Sequence, residues 1–163
     1  MRETTVDRMI EKEDIESIIP HRGKMLLLSR VSGYNLEKGT ICAEYDISAD
    51  CVFYDPALCG VPSWAGFEFM AQAISAFSGI RNRELGIKPR MGFILSIPQM
   101  RALLPVYNQG CRVQVCVEQK DRTELIYTFE GKTLVEGKTA LEGKLMVMEL
   151  DKEKFDNLTM ERN

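Results

Sequence analysis

Between Asp55 and Arg81 the chain reads PALCGVPSWAGFEFMAQAISAFSGI, and the only carboxylate in that stretch is Glu68. An ionised carboxylate among Trp64, Phe67, Phe69 and Met70 would cost several kcal/mol without partners. It must therefore be paired, neutralised or solvated within a site. Desolvation raises a carboxyl pKa, and a carboxyl so poised suits a general acid or base. The plainer alternative is a glutamate facing a solvent channel or bound to a neighbouring arginine. The chain has one histidine, His21, so any imidazole chemistry has a single candidate and a His-built metal site is not expected. Gln72 lies one helical turn beyond Glu68, where it would orient the carboxyl or a water, or else bond to strand backbone.

The run around Glu68 is long enough for about five or six turns of buried helix, expected over residues 63 to 82. Pro62 suits a first turn, and Ser63 is close enough to cap it. The first amides of such a helix lack intrahelical partners and carry the positive end of its dipole. Those of Gly60, Ser63 and Trp64 are the nearest donors for a developing oxyanion. Gly66 would admit a ligand closely or simply pack against a sheet. Phe67, Trp64 and Met70 read as core or tunnel wall.

Before this helix, Ile15, Ile18 and Ile19 at helical spacing predict a short helix over 11 to 19, ended by Pro20. A turn at His21, Arg22 and Gly23 leads into MLLLSRVSGY, read as a strand, which pairs with a second over 40 to 47. After it come strand-like segments at 91 to 97, 101 to 104, 112 to 119, 124 to 129 and 138 to 150. Glu-Gly-Lys recurs at 130, 136 and 142. The middle copy reads as a hairpin turn, and Gly131 and Gly143 as bulges. The polar tail from Asp151 is expected to fray.

The 163 residues read as one domain, its core over about 12 to 150, with 45% hydrophobic and 28% charged residues. A net charge of −3 without a basic arm argues against nucleic acid. The charged N-terminus shows no signal peptide, and the longest apolar stretch is too interrupted to span a bilayer. A cytoplasmic protein is expected. Five cysteines at spacings that match no metal finger fit that compartment, most of them as small buried hydrophobes. Between Arg81 and Arg101 five cations face Glu84 alone, an asymmetry suited to docking an acidic partner.

A helix, two strands, a buried helix and then a run of antiparallel strands make an α+β chain. A helix apolar on nearly every side needs a curved antiparallel sheet folded around it, the hotdog arrangement. The sheet edge and helix face left open imply a dimer.

Two motifs carry a resemblance. IIPHRGKMLLLSRV (18 to 31) resembles the LPHRYPFLLVDRV opening of β-hydroxyacyl-acyl-carrier-protein dehydratases of the FabZ type, and GVPSWAGFEFMAQA (60 to 73) is similar to their PVMPGVLIIEAMAQA. The wording PSWAGFEFMAQ looks closest to the aryl-polyene, ApeP-like dehydratases. The resemblance implies loss of water from a (3R)-hydroxyacyl thioester to give the trans-2-enoyl product. The substrate would ride on the phosphopantetheine arm of an acyl carrier protein, with no other cofactor and with a homo-oligomer or a second hotdog subunit as partner. Glu68 matches the family's carboxylate. Where the family places its GHFP histidine this chain has Tyr54. Three readings follow: His21 replaces the missing base and takes the α-proton while Glu68 protonates the leaving hydroxyl; Tyr54 or a Glu68-held water moves the proton; or the site binds acyl groups without dehydrating them. A hotdog thioesterase, with Glu68 activating water, is the alternative enzyme.

Overall fold

Residues 9–160 are described by a computed structural model; residues 1–8 and 161–163, parts of the charged N-terminus and polar tail considered above, lie outside it. The elements are β1 (Ile10–Glu11), α1 (Lys12–Ile15), β2 (Arg30–Asn35), β3 (Thr40–Asp46), β4 (Gly60–Pro62), α2 (Gly66–Glu84), β5 (Met91–Ala102), β6 (Val106–Asn108), β7 (Arg112–Arg122), β8 (Ile126–Val135), β9 (Lys138–Leu150) and α3 (Lys152–Met160). Seven strands form one sheet in the order β1-β2-β3-β7-β8-β9-β5, every neighbouring pair antiparallel, while β4 pairs with β6 apart from it. The sheet packs on α2, as the hotdog reading expects.

Alternation explains the wrap. Ile41, Ala43 and Tyr45 on β3, Val113, Val115 and Val117 on β7, and Tyr127 and Phe129 on β8 are buried, and Leu141, Leu145 and Val147 of β9 join them. They enclose Phe69, Met70, Ala73, Ala76, Phe77 and Ile80 of α2. Each large side chain so buried contributes about 1.5–3 kcal/mol. Glycine lets the layers approach: a Cβ on Gly66 would collide with the Tyr107 hydroxyl, and one on Gly131 would meet Met70. Gly66 is thus a packing residue, not a ligand contact.

Several expectations are corrected. The residues before α2, Ser63–Ala65, form a 3-10 turn, and no side chain caps either helical start. MLLLS is not strand: Gly23–Met25 is a 3-10 turn and pairing begins at Arg30, because Leu26, Leu27 and Leu28 are all buried rather than alternating. The segments at 91 to 97 and 101 to 104 are one strand, β5, carried past Pro98 by a register shift between Ser96 and Gln99. Gly131 and Gly143 face each other across β8 and β9 in regular register rather than forming bulges. The hairpin at Glu136 and Gly137 is present, both with positive φ. The tail forms α3, held by stacking of Phe155 on Phe93 with ring centres 5.4 Å apart. Cys42 and Cys116 form a disulfide rather than packing as thiols, and only Cys51 of the other three is buried.

Candidate active site

His21 meets Glu68 because the segment after α1 lies along α2. Ile18 rests on Gly79, where any Cβ would collide with its backbone carbonyl. Arg83 near the end of α2 donates to the Ser17 hydroxyl at 2.8 Å. Further on, Gln72 binds the same segment with both ends of its amide. Its Oε1 accepts from the Leu27 amide at 2.9 Å, and its Nε2 donates to the Met25 carbonyl at 2.7 Å and to Glu68 Oε1 at 3.1 Å. Arg22 closes the turn by donating to the Ile19 carbonyl at 2.7 Å. The segment is thereby pinned at Ile18 and at Met25 to Leu27, and His21 between the pins is set over the first turn of α2.

There His21 Nε2 lies 3.6 Å from Glu68 Oε1, the imidazole side chain 26% and the carboxylate 17% exposed. Both are thus partly sheltered and partly open to a ligand. Burial lowers the His21 pKa below its ordinary value; the Glu68 charge opposes that shift and Arg22 adds to it. The imidazole is accordingly neutral at pH 7. Its buried Nδ1 has no hydrogen-bond partner among the described residues, so no neighbouring carbonyl or hydroxyl fixes the tautomer. A neutral imidazole and a carboxylate this close can both reach one small group of a substrate lying beside the pair, and can pass a proton from one to the other.

The remaining expected residues occupy other positions. Gln72 is fully buried and saturated by protein, so it holds Glu68 rather than contacting substrate. Tyr54 donates its hydroxyl to Gln109 Oε1 at 2.7 Å. Gly60 belongs to β4 and is required there because a Cβ would strike the Tyr107 carbonyl. Its amide lies 3.4 Å from the Asp55 carbonyl, and the Ser63 amide is bound to Pro105 at 3.0 Å, so neither is a free oxyanion donor. Ser63 is buried, whereas Trp64 is half exposed and meets Phe53 edge to face at 5.8 Å.

Sequence reasoning missed the pinning contacts. Gly79 within an apolar helix was the available signal for a crossing backbone. It also missed that Arg81 binds Glu149 at 2.9 and 3.0 Å beside Ser78, which removes Arg81 from the basic docking group.

The ApeP dehydratase family model matches residues 13–159. The 3-hydroxyacyl-[acyl-carrier-protein] dehydratase FabZ of Erythrobacter litoralis is 31% identical over 129 residues, covering 76% of this chain and 83% of the relative. That of Nitratiruptor is 28% identical over 88% of this chain and all of the relative. Among solved structures, the dehydratase heterocomplex ApeI:P from Xenorhabdus doucetiae contains a chain of 25% identity and TM-score 0.79, matched over 89% of this chain and 96% of that one. A putative thioesterase from Ralstonia eutropha, at 14% identity and TM-score 0.57 over 72% of this chain and 82% of its own, shares the fold alone. With its hotdog fold and the family model matched from residue 13 to residue 159, this chain belongs to the ApeP-like dehydratases, hydro-lyases of hydroxyacyl thioesters.

Proposed function

We propose that His21 and Glu68 form the acid–base pair that removes water from a (3R)-hydroxyacyl group carried on the phosphopantetheine arm of an acyl carrier protein, giving the trans-2-enoyl thioester. The observation that carries this reading is convergence. The sole histidine of the chain comes to 3.6 Å from the only carboxylate in the apolar stretch of α2. Elimination needs a base at the α-carbon and an acid at the departing hydroxyl, each contributing about 10²–10⁴ in rate. His21, neutral at pH 7, takes the α-proton through Nε2 while Nδ1 keeps the ring's own proton. Glu68, held by Gln72, receives that proton from the imidazolium 3.6 Å away and delivers it to the leaving hydroxyl, so that both side chains end the cycle as they began it. Tyr54, tied to Gln109, is left out of the proton transfer.

The carrier's arm supplies the thioester, and the reaction as written uses no further cofactor. With Arg81 bound to Glu149 and Arg83 to Ser17, the exposed cations left to meet an acidic carrier are Lys88 and Arg90, with Arg101 near Glu142 at 3.7 Å. Assembly with a second copy or another hotdog subunit is supported by the apolar edge of β5, where Met91, Ile94, Leu95 and Met100 are 38–47% exposed. The match to a chain of the ApeI:P heterocomplex supports it too. We place the protein in the cytoplasm, where such carriers are loaded; among the described residues no helix is long and apolar enough to cross a membrane.

Incubation with a 3-hydroxyacyl thioester, followed by product identification, tests the reading. Enoyl thioester is expected; free acid would mean a thioesterase, and unchanged thioester an acyl-binding subunit. Glu68→Gln matches the carboxyl in size and should leave the melting temperature within a few degrees. It should lower turnover by about 10²-fold or more. Turnover at the wild-type level in that variant would make Glu68 structural.

A further inference from the structure

On the sheet face turned away from α2, the strand register sets Cys42 opposite Cys116, Cys116 opposite Lys132, Lys132 opposite Glu142 and Glu142 opposite Arg101. One row thus crosses five strands from β3 to β5. All of these residues line an open groove of about 550 Å³ that also receives Thr40, Gln99, Glu118 and Lys120. The Cys42–Cys116 disulfide therefore lies in a recess wide enough for a small thiol. Neither α2, His21 nor Glu68 borders it.

The charges around the sulfurs are unevenly satisfied. On β3, Glu44 flanks Cys42 and is bound by Arg30 at 2.8 Å. On β7, Cys116 has Gln114 on one side and Glu118 on the other, and Glu118 is paired with Lys120 at 2.8 Å. Glu130 of β8 lies 3.3 Å from Lys144. Lys132, directly across from Cys116, takes part in no ion pair among the described residues and is the cation left to face a sulfur. Directly opposed side chains on antiparallel strands have Cβ atoms about 4.5–5.5 Å apart. An ammonium that near stabilises a thiolate, and the thiol with the lower pKa leaves faster in disulfide exchange.

We propose that Cys42–Cys116 is a site of reversible thiol–disulfide exchange with small thiols and dithiols, in which Lys132 makes Cys116 the leaving sulfur. A thiolate attacks Cys42 Sγ, a new S–S bond forms there, and the old bond breaks with its electron pair going to Cys116 as thiolate beside Lys132. The second thiol of the dithiol, deprotonated, then attacks its own sulfur in the mixed disulfide and releases Cys42 as thiolate. The protein is reduced by two electrons and the dithiol oxidised to its disulfide. The bond spans 74 residues that contain β4, α2 and β5. Opening it therefore loosens the unfolded chain, while the dehydratase site on the other face keeps its geometry.

The test treats the native protein with dithiothreitol, without denaturant, and follows alkylation of Cys42 and Cys116 by peptide mass. The expected result is opening of the pair with the protein still folded and, when a monothiol such as glutathione is used, a mixed disulfide on Cys42 with alkylation at Cys116. Dehydration at 25 °C should be unchanged and the melting temperature should fall by about 10 °C. Lys132→Met, at an exposed position outside the core, should slow opening about threefold and shift the dithiothreitol equilibrium toward the disulfide. Free thiols at both positions after treatment with oxidised dithiothreitol would overturn the proposal. So would a bond that opens only on unfolding, or equal rates in the Lys132→Met protein.

Discussion

At the scale of single residues, the proposed chemistry turns on an imidazole whose pKa burial lowers. Because the His21 pKa lies below the ordinary 6.5, the base form persists through neutral pH and is lost only below that value. The kcat/KM profile should therefore be flat near pH 7, with an acidic midpoint under 6.5. His21→Ala should lower turnover by about 10²–10⁴ while acyl-thioester binding is kept, as for a group acting in the transition state. NMR titration of the protein's one histidine checks the cause directly. Glu68→Gln removes the charge that favours the imidazolium, so the His21 pKa should fall further in that variant. A rise would mean that the two side chains do not interact.

The elements explain how those residues meet. Gln72 joins α2 to the Met25–Leu27 backbone, and Leu27 and Met25 have no strand ladder to satisfy them. Gln72→Leu leaves the buried Leu27 amide unpaired, at about 1–3 kcal/mol, and the part-buried Met25 carbonyl to water. Thermal unfolding should show the loss, and dehydration should fall with it because His21 is no longer held over Glu68. Wild-type stability would show that the segment finds other partners.

Much of this was legible beforehand. The apolar run containing Glu68 gave the long helix, and alternating residues gave β3 and β9 almost to the residue. Less was legible for residues 25–28, where three adjacent leucines read as strand yet bury together in an irregular turn. The juxtaposition of His21 and Glu68 could be named as a hypothesis. Its basis, a backbone crossing at Gly79 and a buried amide at Gln72, depends on contacts between residues far apart in the chain. Tyr54, Gly60, Ser63 and Trp64 were assigned by proximity in sequence to the helix start. Local backbone bonds to Asp55 and Pro105, and the Tyr54 bond to Gln109, hold three of them elsewhere.

The whole molecule has unequal sheet edges. The β1 edge is two residues long, whereas β5 is twelve and carries exposed Ile94 and Leu95. A long apolar edge is a template for another strand, and natural sheets cover or charge such edges. Leu95→Lys should therefore reduce the mass found by light scattering toward that of one 18.5 kDa chain. An unchanged mass would show that this edge carries no contact between copies. The buried Arg81–Glu149 pair, with Ser78, ties the C-terminal part of α2 to β9 beside the same edge.

That both members of the proposed acid–base pair belong to one chain bears on subunit mixing. An active centre assembled across an interface can be rebuilt from two different inactive mutants, since a mixed oligomer restores one intact pairing. Here His21 and Glu68 are neighbours within a single polypeptide. Unfolding Glu68→Gln and His21→Ala chains together and refolding them should therefore yield assemblies as inactive as either parent. Mixing wild type with either mutant should give activity in simple proportion to the wild-type fraction. Each copy stands or falls by its own sequence.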